Sequence, residues 1–68
     1  MNLRVFLQVN DFNDMITLLD IDDHIITRAQ VQTILKMNED YLDSSILHWH
    51  LLPQDKEIEI QLDYILYK

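Results

Sequence analysis

The sequence predicts one α+β domain in which two to three short helices pack on a C-terminal antiparallel β-hairpin, with a third strand supplied by the N-terminus. Three observations carry that expectation. Residues 46–52 and 57–63 alternate so that they pair sensibly about Pro53-Gln54-Asp55-Lys56. Helix-start signals stand at Thr27 and Asn38. The chain's 68 residues are 49% hydrophobic with no glycine and one proline, which favours regular elements joined by short connections.

The hairpin is the most constrained part. With 53–56 as the turn, Leu52 faces Glu57, and the two-residue period of a strand sets every further pair. One face pairs Leu51 with Ile58, Trp49 with Ile60 and Leu47 with Leu62. The other pairs His50 with Glu59, His48 with Gln61 and Ile46 with Asp63. A slip of one residue would put Trp49 and Leu51 opposite Glu59 and Glu57 and mix the faces. Pro53 suits the second position of a type I turn, which needs no residue at positive φ. Six apolar side chains on one face contribute roughly 1.5–3 kcal/mol each once covered, and an isolated hairpin is marginal in water. The helices are therefore expected over the Trp49 face.

Composition bounds the function. Twelve acidic against five basic residues give a net charge of −7, which repels phosphate backbones and anionic membranes and favours basic partners. Without cysteine there is no disulfide framework, thiolate zinc site or Cys nucleophile. No apolar run approaches the roughly 18–20 residues that span a bilayer, and no basic region followed by an apolar stretch opens the chain. A cytoplasmic, unprocessed protein without membrane contact is expected. A domain of this size buries only about 60% of the surface its unfolded chain exposes, so its stability should be modest.

Residues 1–9 alternate Leu3, Val5, Leu7 and Val9 with Asn2, Arg4, Phe6 and Gln8, the pattern of a strand with one buried face. A competing helical reading exists, because Val5, Val9, Phe12, Ile16 and Leu19 also fall at helical spacing. Asn10 and Asp11 are good cap types ahead of Phe12, Met15, Ile16 and Leu19, so the first helix is placed from Asp11 to near Asp20. Ile21-Asp22-Asp23-His24 reads as a connection and Ile25-Ile26 as a very short strand at most. Thr27 and Gln30 have capping-box spacing for a second helix over 28–36 that buries Val31, Ile34 and Leu35. Asn38 caps a third helix, with Glu39 and Asp40 in its first turn and Tyr41, Leu42 and Ser45 facing inward.

From the first helix onward this order resembles a winged-helix domain in miniature, carried by Ile25-Ile26, the helix starts at Thr27 and Asn38, and the hairpin standing for the wing. The resemblance covers about residues 11–63 and is one of element order. It implies that the third helix would be the recognition helix and that the protein would act as a dimeric helix-turn-helix transcription regulator. The charges oppose that function. The third helix carries Glu39, Asp40 and Asp43, and the basic residues Arg4, Arg28, Lys36, Lys56 and Lys68 are scattered, whereas a specific DNA binder commonly neutralises about 6–10 phosphates. Direct binding of nucleic acid is therefore not expected.

The acids admit a sharper reading. Glu57, Glu59 and Asp63 would lie along one solvent face, alternate residues on a strand being about 6.6–6.8 Å apart, extended by Glu39, Asp40 and Asp43 into an array resembling phosphates. The plainer reading is a solvated sheet face and a solvated helix start. His48 and His50 share a strand face with Glu59, and with His24 could ligate zinc, nickel or copper, but three or four convergent ligands are needed and one face shows two histidines. A cross-strand His50–Glu59 pair, worth roughly 0.2–1 kcal/mol, accounts for them more simply. No metal or other cofactor is expected. Ser44 and Ser45 lack an identifiable base, no glycine-rich phosphate loop is present and Asp22-Asp23 reads as loop solvation, so no enzyme is expected.

The last strand outruns its partner. Tyr64 would face Ser45, leaving Ile65, Leu66, Tyr67 and Lys68 to pair with residues 3–9 or with another chain. Phe6, Ile46, Leu52, Ile65 and Tyr67 would then form apolar patches among the acids, as binding surfaces often do. The expected function is an acidic protein–protein interaction module, of phage or plasmid type, that regulates or inhibits a basic and often nucleic-acid-binding partner. Its partner-binding residues are Glu39, Asp40, Asp43, Glu57, Glu59, Asp63 and Tyr67. A homodimer is compatible with this reading, and the remaining class is a structural subunit of a larger assembly.

Overall fold

The structure is a computed structural model that describes residues 1–9, 15–52 and 57–67. Its elements follow the order α1 (Leu3–Val9), β1 (Met15–Leu19), β2 (Ile25–Ala29), α2 (Val31–Ile34), α3 (Glu39–Leu42), β3 (Ile46–Leu52) and β4 (Glu57–Leu62). The strands form one mixed sheet in the order β2-β1-β4-β3. Two antiparallel hairpins, β1–β2 and β3–β4, meet along a parallel pairing of β1 with β4. The domain is thus α+β, with four strands in place of the two or three expected.

The C-terminal hairpin keeps its expected register for five pairs, from Leu52 opposite Glu57 to His48 opposite Gln61. The register then shifts between Ile46 and His48, so Ile46 rather than Leu47 stands opposite Leu62. An extra residue in one strand is a β-bulge, which bends that strand and ends strict alternation. The turn expected at 53–56 lies outside the described residues.

The N-terminal half corrects the sequence reading twice. Residues 1–9, expected as a strand, contain helix α1, which buries Leu3, Phe6 and Leu7 at i, i+3 and i+4 and leaves Val5 and Val9 exposed. The Asn2 side chain starts it, its Oδ1 accepting from the Val5 amide at 2.9 Å. Residues placed in a first helix instead hold β1, whose burial leaves no open face at Ile16, Thr17 or Leu18. β1 lies between β2 and β4, and even Thr17, on the face away from the helices, is only 6% exposed, so its residues form a short run that periodicity does not separate from a helix. Residues 10–14, including the expected caps Asn10 and Asp11, lie outside the described residues.

Thr27 is also reassigned. It lies within the five-residue β2, opposite Leu18, and α2 starts from Gln30 with no side-chain cap bond. This helix is shorter than expected and buries Ile34 as anticipated, while Val31 and the C-cap residue Leu35, also expected to be buried, are only half-buried. Asn38 caps α3, its Oδ1 accepting from the Asp40 amide at 2.9 Å, and Glu39 and Asp40 occupy the first turn. Ser44, not Ser45, is the buried serine there.

All three helices lie on one face of the sheet. Leu3, Phe6, Leu7, Ile34 and Leu42 pack in one core with Ile16, Leu18, Ile58, Ile60 and Leu62. The helices cover the Ile58–Ile60 face, as expected, but on β3 the cover is partial. Leu47, Trp49 and Leu51 on β3 remain 47%, 45% and 53% exposed. The expected overhang of a C-terminal strand is absent as well, because β4 ends at Leu62 and its outer neighbour is β1. Residues 63–67 fold back on the β1–β2 turn instead, with the Ile21 amide donating to the Tyr64 carbonyl at 2.9 Å and the Leu66 amide to Asp20 Oδ2 at 3.1 Å.

Candidate interaction surface

The sheet face away from the helices carries the alternate residues of each strand. Register sets Arg28, Thr17, Glu59 and His50 in one row across all four strands. The Arg28 guanidinium pairs with the Glu57 carboxylate one step along, and His50 Nε2 lies 3.0 Å from Glu59 Oε1. That His50–Glu59 contact is the cross-strand pair expected from the sequence. His48 and Gln61 form the next step of the same face.

The expected partner-binding residues fall into separate groups. Glu57 and Glu59 lie together on the open face, both partly shielded. Glu39, Asp40 and Asp43 lie together at α3, in the helix layer on the other side of the sheet, where all three are exposed. Asp43 is paired with Arg4. Asp63 is exposed just past β4, and Tyr67 is exposed with its ring edge-on to His24 at 4.8 Å. The six carboxylates therefore do not make one continuous array. Of the apolar residues expected on the outer face, Ile65 and Tyr67 are exposed while Phe6 is buried.

The turn between β1 and β2 is organised by Asp20, whose side chain is fully buried. Oδ1 accepts from the amides of Asp22 at 2.9 Å and His24 at 2.8 Å, and Oδ2 accepts from the Leu66 amide and lies 3.2 Å from His24 Nδ1. Burial pushes its pKa up, but the hydrogen bonds from His24, Leu66 and Asp22 outweigh burial and hold the carboxyl below its ordinary 3.8. From the neighbouring strand, Gln61 Nε2 donates to the Asp20 carbonyl at 3.0 Å and to Asp23 Oδ1 at 2.6 Å. Asp23 takes a positive φ of 67°, a role often left to glycine and one that aspartate fills with little strain.

Asp20, Asp22 and His24 offer ligand atoms within 4.8 Å of one another, a grouping the sequence reading of His48, His50 and Glu59 did not anticipate. The oxygens of Asp20 are already committed to amide donors of the turn and tail, so the cluster reads as a structural knot. At the far side of α3, Tyr41 packs on Tyr64 at 4.8 Å, and burial followed by the Tyr64 and Asp40 charges raises its hydroxyl pKa. Among the described residues, no buried side-chain polar atom lacks a hydrogen-bond partner.

What the sequence reading missed is the outer strand. Leu47, Trp49 and Leu51 on β3 are only partly covered: Phe6 of α1 packs against Trp49 at 5.2 Å between ring centres, yet all three stay about half exposed. Beside them opens a groove of about 570 Å³ lined by Met1, Phe6, Ile46, Leu47, His48 and Trp49. Alternation reports which face of a strand is apolar, not whether another element covers it. No family model matches this chain, and neither a curated protein nor a solved structure does.

Proposed function

We infer that this chain is a small acidic protein–protein interaction module that binds and regulates a basic partner in the cytoplasm. The observation that carries the reading is the disposition of charge. Arg4 and Arg28 are both held by carboxylates, Asp43 and Glu57, while Asp22, Glu39, Asp40 and Asp63 stand exposed on a chain of net charge −7. Such a surface attracts cationic proteins and repels nucleic acid. Glu39 and Asp40 at the start of α3 are the favoured contact, since both are exposed whereas Asp43 is paired with Arg4 and Glu57 and Glu59 are paired and partly shielded. Among the described residues no helix is long and apolar enough to cross a membrane.

The test is affinity capture from the native host, with wild type and the variant E39K/D40K, washed at about 0.1 and about 0.5 M salt. A basic protein retained at low salt, released at high salt and lost with the variant is expected. Retention through the high-salt wash, or equal capture by the variant, refutes the reading. The helix-turn-helix alternative rests on an element order whose first helix is strand β1 in the structure, and it would require a DNA-facing α3, whose first turn is acidic. A gel shift of a short duplex at micromolar protein and low salt would favour it.

A further inference from the structure

We propose that β3 is the interface of a twofold homodimer, in which two copies of the strand pair antiparallel about Trp49. β3 is an outer strand of the sheet, so among the described residues one row of its backbone N–H and C=O groups has no strand beside it. Outer strands are usually protected by charge, by proline or by a covering segment. The opposite edge has Arg28 on β2, whereas residues 46–52 contain no Asp, Glu, Lys, Arg or Pro. Every residue from Leu47 to Leu51 is exposed.

The occupant is identified by the sequence of the strand itself. Leu47-His48-Trp49-His50-Leu51 reads the same in both directions. A twofold axis through Trp49 sets Trp49 against Trp49 of the second copy, His48 against its His50 and Leu47 against its Leu51. Leucines and tryptophan then share one face and all four histidines the other, the self-complementarity an isologous contact requires. The available edge has the matching length. Ile46 is already engaged, its amide donating to the Met1 carbonyl at 3.0 Å beside the Asn2–Ser45 bridge, so the open edge begins where the palindrome begins. A second copy would also extend the apolar row across the groove beside Trp49.

The pairing makes one eight-stranded sheet from two four-stranded ones, with the helices of both copies on the same side. Two five-residue segments and six large apolar side chains bury less than the roughly 1,200–2,000 Å² of stable complexes, so the dimer is concentration-dependent. Both copies carry −7. Salt therefore strengthens self-association by screening their repulsion, the opposite of its effect on a basic partner.

Sedimentation equilibrium from about 5 to about 500 µM, at low and high salt, reads the first part. A rising dimer fraction, larger at high salt, is expected. Register is read by disulfide trapping, since the chain has no cysteine of its own. Under mild oxidation a mixture of H48C and H50C should cross-link several-fold more than either variant alone. Directly opposite Cβ atoms lie about 4.5–5.5 Å apart and diagonal ones about 7–8 Å, against about 3.5–4.5 Å in a disulfide. Both histidines are exposed, and circular dichroism checks that the variants fold. A chain monomeric up to the highest concentration, leaving the edge to another protein, overturns the proposal. So does cross-linking with no preference for the mixture.

Discussion

The two halves of the C-terminal hairpin face should differ several-fold in their energetic weight. Leu51 and Ile58 are cross-strand neighbours on that face, but Ile58 is fully buried and Leu51 is 53% exposed. Truncating a fully buried isoleucine to alanine removes transfer energy and leaves a cavity, together about 2–5 kcal/mol. Full burial of a leucine is worth about 1.5–3 kcal/mol, so one that is half buried at an open edge loses about half of that, near 0.7–1.5 kcal/mol, with no enclosed cavity. A 68-residue domain has a total stability of only about 3–10 kcal/mol, so I58A removes a large share of it. Urea unfolding followed by circular dichroism, at a few micromolar so that self-association does not contribute, measures both variants. The expected result is an unfolding midpoint shifted about threefold further by I58A than by L51A, with the slope unchanged. Equal losses would mean that β3 is covered in the folded monomer, and both the edge-strand description and the dimer built on it would fail.

Other outcomes follow from the turn and the caps. The depressed pKa of Asp20 means that its ionised form stabilises the fold fully above the unfolded value near 3.8, and that this contribution is lost as pH falls through the lower folded value. Thermal melts from about pH 7 to about pH 2.5 should therefore show D20N less stable than wild type at neutral pH, with a smaller further loss in acid; identical acid slopes would refute the role. N38A should cost about 1 kcal/mol by removing the α3 cap, lowering Tm by about 4–8 °C. T27V should be neutral or stabilising, because Thr27 sits in a strand opposite Leu18; a loss equal to that of N38A would restore it as a helix cap.

Legibility in the sequence followed the range of the interaction. Asn38 and its acidic first turn were readable because a cap is decided within three residues. The register of the last hairpin was readable because Trp49 and Ile60, or His50 and Glu59, match only in one alignment. Asn2 followed by Leu3, Phe6 and Leu7 was an equally local signal for α1, masked by a coincident alternation of Leu3, Val5 and Leu7. The interaction surface was legible in its residues and not in its arrangement: Glu57 with Glu59 and Glu39 with Asp40 are sequence neighbours, but which side of the sheet each pair occupies depends on how α3 packs.

By itself, then, the sequence determined an acidic, cysteine-free α+β domain, the closing hairpin with its register from Leu52–Glu57 to His48–Gln61, and the cap of α3, all from contacts between near neighbours or across one turn. Tertiary structure decided that 15–19 is a strand, because β4, the parallel partner along one of its edges, is more than forty residues away. It decided that the last residues knot around Asp20 instead of extending the sheet. It also decided that Trp49 stands at an edge strand only partly covered, because of the three helices of seven, four and four residues it is Phe6 of α1 that reaches it, and Trp49 stays 45% exposed.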